Sequence, residues 1–286
     1  MSATTAAAVH NQGTFVRSFL LHVEMEFKDF WRSIISLAFI VLLPVMFYVG
    51  FGFAYRDQSA VVLSLESNQI TQGNYSYAGV LTFALLSVAF ANVAIGLAIR
   101  RHHGLFKRFR TTPVSPSAVT GAFLVNALVT LAVVFVTLTL IGTLGLGVDL
   151  IVDRLPMLLG ATMIGFICIA PLGTALSLVP PNADSAVPIV NGIFFPMAFL
   201  SGAFFALSLG ETADGILALL PGKPLMALFT RALSHSGPSW DIEAMLLLLA
   251  WGAVGAFFSL KLFKWASEKE PRGFTQRKSA KDETGE

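Results

Sequence analysis

The side chains of this chain that could carry chemistry are few, and most of them are basic. The segment IRRHHGLFKRFRTTPVSPSAV, residues 99–119, contains no acidic residue and five Lys or Arg residues: Arg100, Arg101, Lys107, Arg108 and Arg110. Each Arg or Lys placed at the centre of a membrane helix costs roughly 2.5–3.5 kcal/mol, so this segment must stay outside the bilayer. The simplest interpretation is that its charges fix the topology and contact anionic lipid head groups.

The shape of the same segment favours a second interpretation. Leu105, Phe106 and Phe109 alternate with the cations, so a short helix here would be amphipathic. Thr111, Thr112 and Pro113 then end it, since proline disfavours the helical conformation of the residue before it. A bounded amphipathic element of this kind is typical of a docking surface.

The remaining reactive residues do not form a recognisable site. Ser201 and His235 resemble a nucleophile and a base, but no acid is placed to orient the histidine, and serine beside Gly202 is typical of close helix packing. Cys168 is the single cysteine, which excludes a disulfide within the chain. His102 and His103 are adjacent and would not face one side of a helix, so no metal site is predicted.

No phosphate-binding GxxxxGK[ST] loop occurs in the sequence. We therefore expect that the chain is not an enzyme, that it binds no cofactor, and that any energy for active transport comes from another subunit. Nucleic acid is not an expected partner, because the basic segment is short and lies against anionic lipid.

Composition indicates that these residues are positioned by membrane helices. The 286 residues are 55% hydrophobic and 13% charged, whereas about a quarter of the residues of soluble domains are charged. About 20 apolar residues are needed to cross a bilayer. Six stretches reach that length, which predicts an all-α integral membrane protein: 34–55, 77–99, 118–142, 155–179, 186–208 and 242–265.

The distribution of Lys and Arg predicts the orientation. With six spans, both termini and the 100–117 loop lie on one side, which then holds fifteen of the nineteen basic residues. The other side holds Arg56, Arg154, Lys223 and Arg231. By the positive-inside rule, both termini are predicted to be cytoplasmic.

The ends of the chain are polar or amphipathic. On a helical wheel, most apolar residues from Phe15 to Ile34 share one half and the polar ones share the other, with Glu26 as an exception near an edge. This pattern predicts an amphipathic helix in the cytoplasmic interface. The predicted organisation is a cytoplasmic N-terminus (1–33), a transmembrane domain (34–265) and a polar cytoplasmic tail (266–286).

The interiors of the six spans contain almost no ionisable side chain. Proton- and sodium-driven transporters usually need carboxylates or histidines at membrane depth. The sequence therefore argues against an ion-coupled transporter.

Three stretches resemble the ABC type-2 export permeases, membrane subunits related to daunorubicin-resistance exporters. GLFKRFRTTP is similar to the family pattern that follows span two; the matching residues are Gly104, Leu105, Phe106, Lys107, Arg108, Phe109, Arg110, Thr111, Thr112 and Pro113. In span five, PMAFLSG matches a second pattern from Pro196 to Gly202. The third is Leu220-Pro221 with Pro224-Leu225. Relatives often carry an acid before the motif glycine, where this chain has His102 and His103.

The resemblance implies an assembly and a mechanism. It implies a bacterial cell (inner) membrane, two ABC ATP-binding subunits that bind ATP and Mg, and a second permease copy, as a homodimer or a heterodimer. The 100–117 loop would be the coupling helix, and residues 206–232 would be a re-entrant external segment. The family's substrate cavity lies between spans two and five; the corresponding residues here are Phe83, Asn92, Asn191, Phe194, Phe195 and Phe199.

The resulting expectation is the permease of an ABC exporter for hydrophobic or amphipathic drugs, lipids or lipid-linked cargo. The phenylalanines have an ordinary alternative role in lipid or helix packing. The alternative for the whole chain is a non-transporting membrane scaffold or a sensor component of an ABC-like complex.

Overall fold

A computed structural model of the protein describes residues 17, 19–28, 30, 32, 34–54, 70–102, 116–145, 148, 152–204, 210–234 and 240–262. These residues form helices and turns, and no strand occurs among them. We number the helices α1 (Ile34–Ala54), α2 (Gln72–His102), α3 (Pro116–Gly145), α4 (Leu155–Leu176), α5 (Ala183–Leu200), α6 (Glu211–Ala218), α7 (Gly222–Leu233) and α8 (Ile242–Leu262).

The described helices are long and apolar enough for a membrane protein. In this part of the chain, five helices can cross a bilayer by length and composition, namely α2, α3, α4, α5 and α8, and the bent pair of α6 and α7 makes six if it counts as one span. Helix α1 coincides with the first predicted span and has 21 residues, or about 30 Å of helix. The prediction of an all-α integral membrane protein is confirmed.

Helix α2 is longer than its predicted span of 77–99. It begins at Gln72, where the Thr71 hydroxyl accepts a hydrogen bond from the Asn74 backbone N–H at 3.2 Å. It continues through a π-helical turn, Leu86–Asn92, to His102. Its first turns contain Gln72, Asn74 and Ser76, of which Asn74 is fully buried in protein, and a hydropathy pattern excludes such polar residues from a span.

Helix α5 ends earlier than predicted, at Leu200 instead of 208. Gly202 adopts a φ of 83°, a left-handed conformation that glycine tolerates and that terminates the helix. At its start, Asn182 and Ser185 form a capping box, in which each side chain bonds the other residue's backbone N–H. The FLSG match therefore lies at the end of a helix rather than inside a span.

The core of the bundle surrounds α2, which contacts α1, α3, α4, α5 and α7. The most extensive contact between two helices is that of α4 with α8, where Gly252 lies against Cys168 and Gly255 lies against Pro171 and Leu172. Small residues allow this approach, as they commonly do between membrane helices. In a single chain, most residues of α5 and α8 are half-buried or exposed rather than buried.

Two ends of the bundle can be distinguished. We call the end that carries Arg100 and Arg101 the basic end, and the other the opposite end, which carries Thr71, Arg154 and Ser234. Residues 19–28, here called the N-terminal segment, are helical and contact the basic end through Glu26. The predicted placement of this segment at a membrane surface stays a prediction.

Candidate functional site

The last turn of α2 places two adjacent arginines against different parts of the protein. The Arg100 guanidinium donates to a Glu26 carboxylate oxygen of the N-terminal segment at 2.6 Å, and its side chain is 24% exposed. The same guanidinium lies 4.0 Å from the centre of the Phe123 ring of α3. Arg100 thus joins the N-terminal segment, α2 and α3 through an ion pair and a cation–π contact.

Arg101 contacts the turn between α4 and α5. Its guanidinium donates to the backbone oxygens of Leu178 at 3.1 Å and Pro180 at 2.6 Å. The His102 ring nitrogen Nε2 lies 3.1 Å from the same Pro180 oxygen and 3.0 Å from Arg101. Carbonyls beyond a helix C-terminus lack partners within the helix, and a cation there interacts favourably with the helix dipole.

A second ion pair on the N-terminal segment is exposed. Lys28 donates to Glu24 at 2.5 Å, with the two side chains 67% and 60% exposed. The hydrogen bond and the charge of Lys28 lower the pKa of Glu24 from its ordinary value. Pairs as exposed as this one contribute little to stability, so the half-buried Arg100–Glu26 pair is the structurally important one.

The predicted ATPase-coupling residues from Gly104 to Pro113 lie outside the described residues, which resume at Pro116. Within the predicted 100–117 loop, Arg100, Arg101 and His102 prove to be the last turn of α2 rather than loop. The sequence also left the missing acid before the motif glycine unexplained. The structure provides a carboxylate from the same chain, that of Glu26, next to Arg100.

Four of the six predicted cavity residues belong to one aromatic cluster. The Phe83 ring of α2 lies 5.3 Å from Phe194 of α5, measured between ring centres. Along α5, Phe194 contacts Phe195 at 5.0 Å, and Phe195 contacts Phe199 at 6.4 Å. The first two pairs are tilted and the third is stacked, and such pairs at these separations are favourable aromatic contacts.

Two further rings complete this cluster. Phe47 of α1 and Phe204, which follows α5, lie 5.0 Å and 5.2 Å from Phe83. Sequence analysis did not select them, since their positions beside α2 depend on the packing of α1 and on the turn at Gly202. We call the six residues the aromatic cluster: Phe47, Phe83, Phe194, Phe195, Phe199 and Phe204.

Burial separates the predicted cavity residues into two groups. Phe83 and Phe194 are fully buried in the single chain, at 0% and 2% exposure, so here their rings pack against protein. Phe195, Phe199, Asn191 and Asn92 are half-buried. Asn92 lies at the end of the π-helical turn of α2, a type of irregularity that often accompanies functional sites.

Helices α6 and α7 form a bent pair at 83° to one another. Gly222, at the start of α7, lies against Ser201 and Leu86, about halfway along α2. At the end of α7, the Asn74 side-chain amide donates to the Leu233 oxygen at 3.0 Å. The pair therefore reaches from the middle of α2 back to the opposite end.

Further hydrogen bonds fix this bent pair. The Arg154 guanidinium donates to the Ser234 backbone oxygen, beyond the C-terminus of α7. The Trp251 indole N–H donates to the Leu219 oxygen at 2.8 Å. Together with Asn74, these donors lie on other helices or at their starts, so hydrogen bonds connect the bent pair to α2, α4 and α8.

The residues considered as a nucleophile and base have structural roles where they are described. The Ser201 hydroxyl donates to the Ala198 oxygen at 2.6 Å and accepts from the Ala203 N–H at 3.3 Å, which closes the turn after α5. Cys168 is buried between α4 and α8. His235 lies outside the described residues.

A bundle of apolar helices with a basic end, a bent helix pair and an aromatic cluster between α2 and α5 defines a polytopic membrane protein. The family comparison identifies it as a transporter permease. The model of the ABC-2 family transporter proteins matches residues 57–261, well over half of the chain, and the protein belongs to that family. The resemblance to the ABC type-2 permease family is thus confirmed. Membership of this family also implies that the protein has ABC ATP-binding subunits as partners. A comparison with curated proteins finds no match.

Proposed function

We propose that this protein is the permease subunit of an ATP-driven ABC exporter for hydrophobic or amphipathic molecules. The observation that carries the proposal is membership of the ABC-2 transporter family over residues 57–261, combined with the GLFKRFRTTP segment that follows α2 in the sequence. Drugs, lipids and lipid-linked molecules are the cargo classes that suit an apolar interior with phenylalanines between α2 and α5.

In the proposed assembly, two ABC ATP-binding subunits bind ATP and Mg and dock beneath the basic end, which faces the cytoplasm. The permease itself performs no catalysis. A second permease copy, identical or paralogous, completes the transport pathway in a bacterial cell (inner) membrane. The bent pair of α6 and α7 is the re-entrant external segment of this assembly, and Gly104 to Pro113 form the coupling helix.

The proposed mechanism transmits the closure of the ATP-binding subunits to the helices. ATP binding draws the two ATPase subunits together and pushes on the coupling helices. Helices α2 and α5 then change their orientation, so that the cavity closes to the cytoplasm and opens to the outside. Such a shift requires that the ATP-bound partner contacts the two states with different free energies.

Replacement of Arg108 and Arg110 by Glu tests the docking of the ATPase. We expect Arg108→Glu/Arg110→Glu to insert normally but to lose co-purification with the ATP-binding subunit and stimulation of ATP hydrolysis, because two attractive charges become repulsive. Lys278→Glu/Lys281→Glu in the polar tail makes the same charge change and serves as the control. Normal coupling in the first variant would refute the docking assignment.

Transport itself is tested in proteoliposomes that contain the permease and the ATP-binding subunit. ATP-dependent movement of a fluorescent phospholipid or an amphipathic dye supports the proposed function. Stable binding of the ATPase without movement of any such probe would instead favour the scaffold or sensor alternative.

A further inference from the structure

We propose that Arg100 and Arg101 are positioning residues that make the N-terminal segment, the basic end of α2 and the start of α5 move together when the ATP-binding subunits push. This inference rests on the proposed function and identifies the contacts that transmit its motion. Neither residue contacts cargo in the proposed role.

The GLFKRFRTTP motif follows these two arginines closely in the sequence. The GLFKRFRTTP segment begins two residues after His102, the end of α2, and Pro116 starts α3 shortly after it. A force on that segment therefore reaches the ends of α2 and α3 first. Arg100 spans these two helices, since its guanidinium belongs to α2 and stacks on Phe123 of α3.

Arg101 connects α2 to the turn that leads into α5. Arg101 holds the oxygens of Leu178 and Pro180, and α5 begins at Ala183, three residues later. The Asn182–Ser185 capping box fixes the direction in which the chain enters α5. Because a guanidinium presents several donors in a rigid plane, it can hold two carbonyls at once, which an ammonium group cannot do in the same geometry.

The N-terminal segment contacts both α2 and α3. Phe19 lies against Gly121 of α3, where an added Cβ would come within 3.2 Å of the ring, and Glu26 pairs with Arg100. The Glu26 side chain is 14% exposed, so breaking this pair would leave a carboxylate mostly out of water. The segment is thus attached to α2 and α3 by packing and by charge.

A reporter cysteine can follow motion at the far end of α5. Ser201 is 1% exposed, and Cys168, the single natural cysteine, is removed as Cys168→Ala. In this background we would measure the labelling rate of Ser201→Cys by a maleimide in the full complex, both without nucleotide and trapped with ATP and vanadate. We expect faster labelling in the trapped state if α5 transmits the motion.

Arg101→Met should reduce the nucleotide-dependent change in labelling rate by about tenfold or more, the factor expected from the loss of a charge-assisted hydrogen bond. ATP hydrolysis and subunit assembly should persist, which separates this result from misfolding. Arg101→Lys should restore part of the response. Lys28→Met, which removes a cation from the exposed pair at the same end of the protein, should leave the response unchanged.

Charge exchange tests Arg100. Glu26→Arg and Arg100→Glu should each weaken the response, and the double variant should recover most of it, whereas exchange of Glu24 and Lys28 should have no effect at any stage. A double variant no better than the single ones would overturn the assignment of Arg100.

These measurements distinguish failure of the positioning role of Arg101 from failure of the proposed function. If the reporter responds to nucleotide in the parent protein and equally in Arg101→Met, the positioning role of Arg101 is wrong and the proposed function stands. If the parent reporter does not respond to nucleotide, alternating access through α5 is wrong, and the positioning role falls with it.

Discussion

Gly173 provides a sensitive test of how α4 packs on α2. A Cβ at this position would lie 2.7 Å from the backbone oxygens of both Ala89 and Phe90, in the π-helical turn. An ordinary carbon–oxygen contact needs about 3.4 Å, so Gly173→Ala is short by about 0.7 Å on two atoms at once. Backbone oxygens cannot rotate away as a side chain can, so α4 or the π-helical turn must move.

The expected cost of Gly173→Ala is a typical overpacking penalty of about 1–3 kcal/mol, reduced by the intrinsic preference of alanine over glycine in helices, which is up to about 1 kcal/mol. Gly50→Ala in α1 isolates that preference, because among the described residues nothing beyond the backbone of its own helix lies within 4 Å of its Cβ position. The free energy of unfolding of Gly173→Ala should therefore be lower than that of Gly50→Ala by about 2 kcal/mol. For a domain of roughly this size, that corresponds to a melting temperature lower by roughly 4–8 °C.

The assay is thermal unfolding in detergent, followed by far-ultraviolet circular dichroism and by size-exclusion chromatography of heated samples. Both variants should reach the membrane in similar amounts. If Gly173→Ala melts at or above the temperature of Gly50→Ala, the π-helical turn of α2 is not in contact with α4, and the packing around α2 described above is wrong.

Two further substitutions test the aromatic cluster and the bent helix pair. Phe83→Ala removes a ring in contact with Phe47, Phe194 and Phe204, so we expect a loss of about 3–5 kcal/mol in the free energy of unfolding. Phe258→Ala, at a ring 46% exposed, should cost little in the same thermal assay, and a similarly small cost for Phe83→Ala would mean that Phe83 faces open space. Asn74→Leu leaves the Leu233 oxygen without its donor, and hydrogen bonds between membrane helices average about 0.6 kcal/mol, up to about 1.7. Amide exchange should become faster in α7 but not in α3; unchanged exchange in α7 would show that this bond does not hold the pair.

The spans were predictable because their pattern is a bulk property of the sequence. Twenty apolar residues in a row identify a membrane helix whatever they contact, so α1, α3 and α8 begin within two residues of their predicted starts. Errors occurred where tertiary contacts replace lipid. The polar Asn74 belongs to α2 because it is fully buried in protein, and α5 stops early at the positive φ of Gly202, which a hydropathy pattern does not detect.

The contacts within the candidate site could be predicted only for residues that lie on the same helix. The phenylalanines of α5 stand at positions 194, 195 and 199, so their neighbourhood follows from helical spacing. The partners of Arg100 and Arg101 did not follow from spacing. Glu26 lies 74 residues from Arg100, and the acceptors for Arg101 are backbone carbonyls, which every residue has and no motif reveals. The one local signal for Glu26 was its position as an exception on the apolar side of the helical wheel.

Burial within the aromatic cluster constrains where cargo can bind. Phe83 and Phe194 are in ring contact and fully buried, so the space between α2 and α5 is closed at their level. At the basic end, Arg101 of α2 binds the turn that leads into α5, so in the proposed exporter the two helices would separate by hinging from that end. In the proposed exporter, cargo that binds without such separation would contact the half-buried side of the cluster, at Phe195, Phe199 and Asn191. The exposed surface of α5 continues this side, so a second permease copy facing α5 would complete a cavity in which Phe83 and Phe194 support the wall rather than line it. A large stability loss in Phe83→Ala is the result that this arrangement requires.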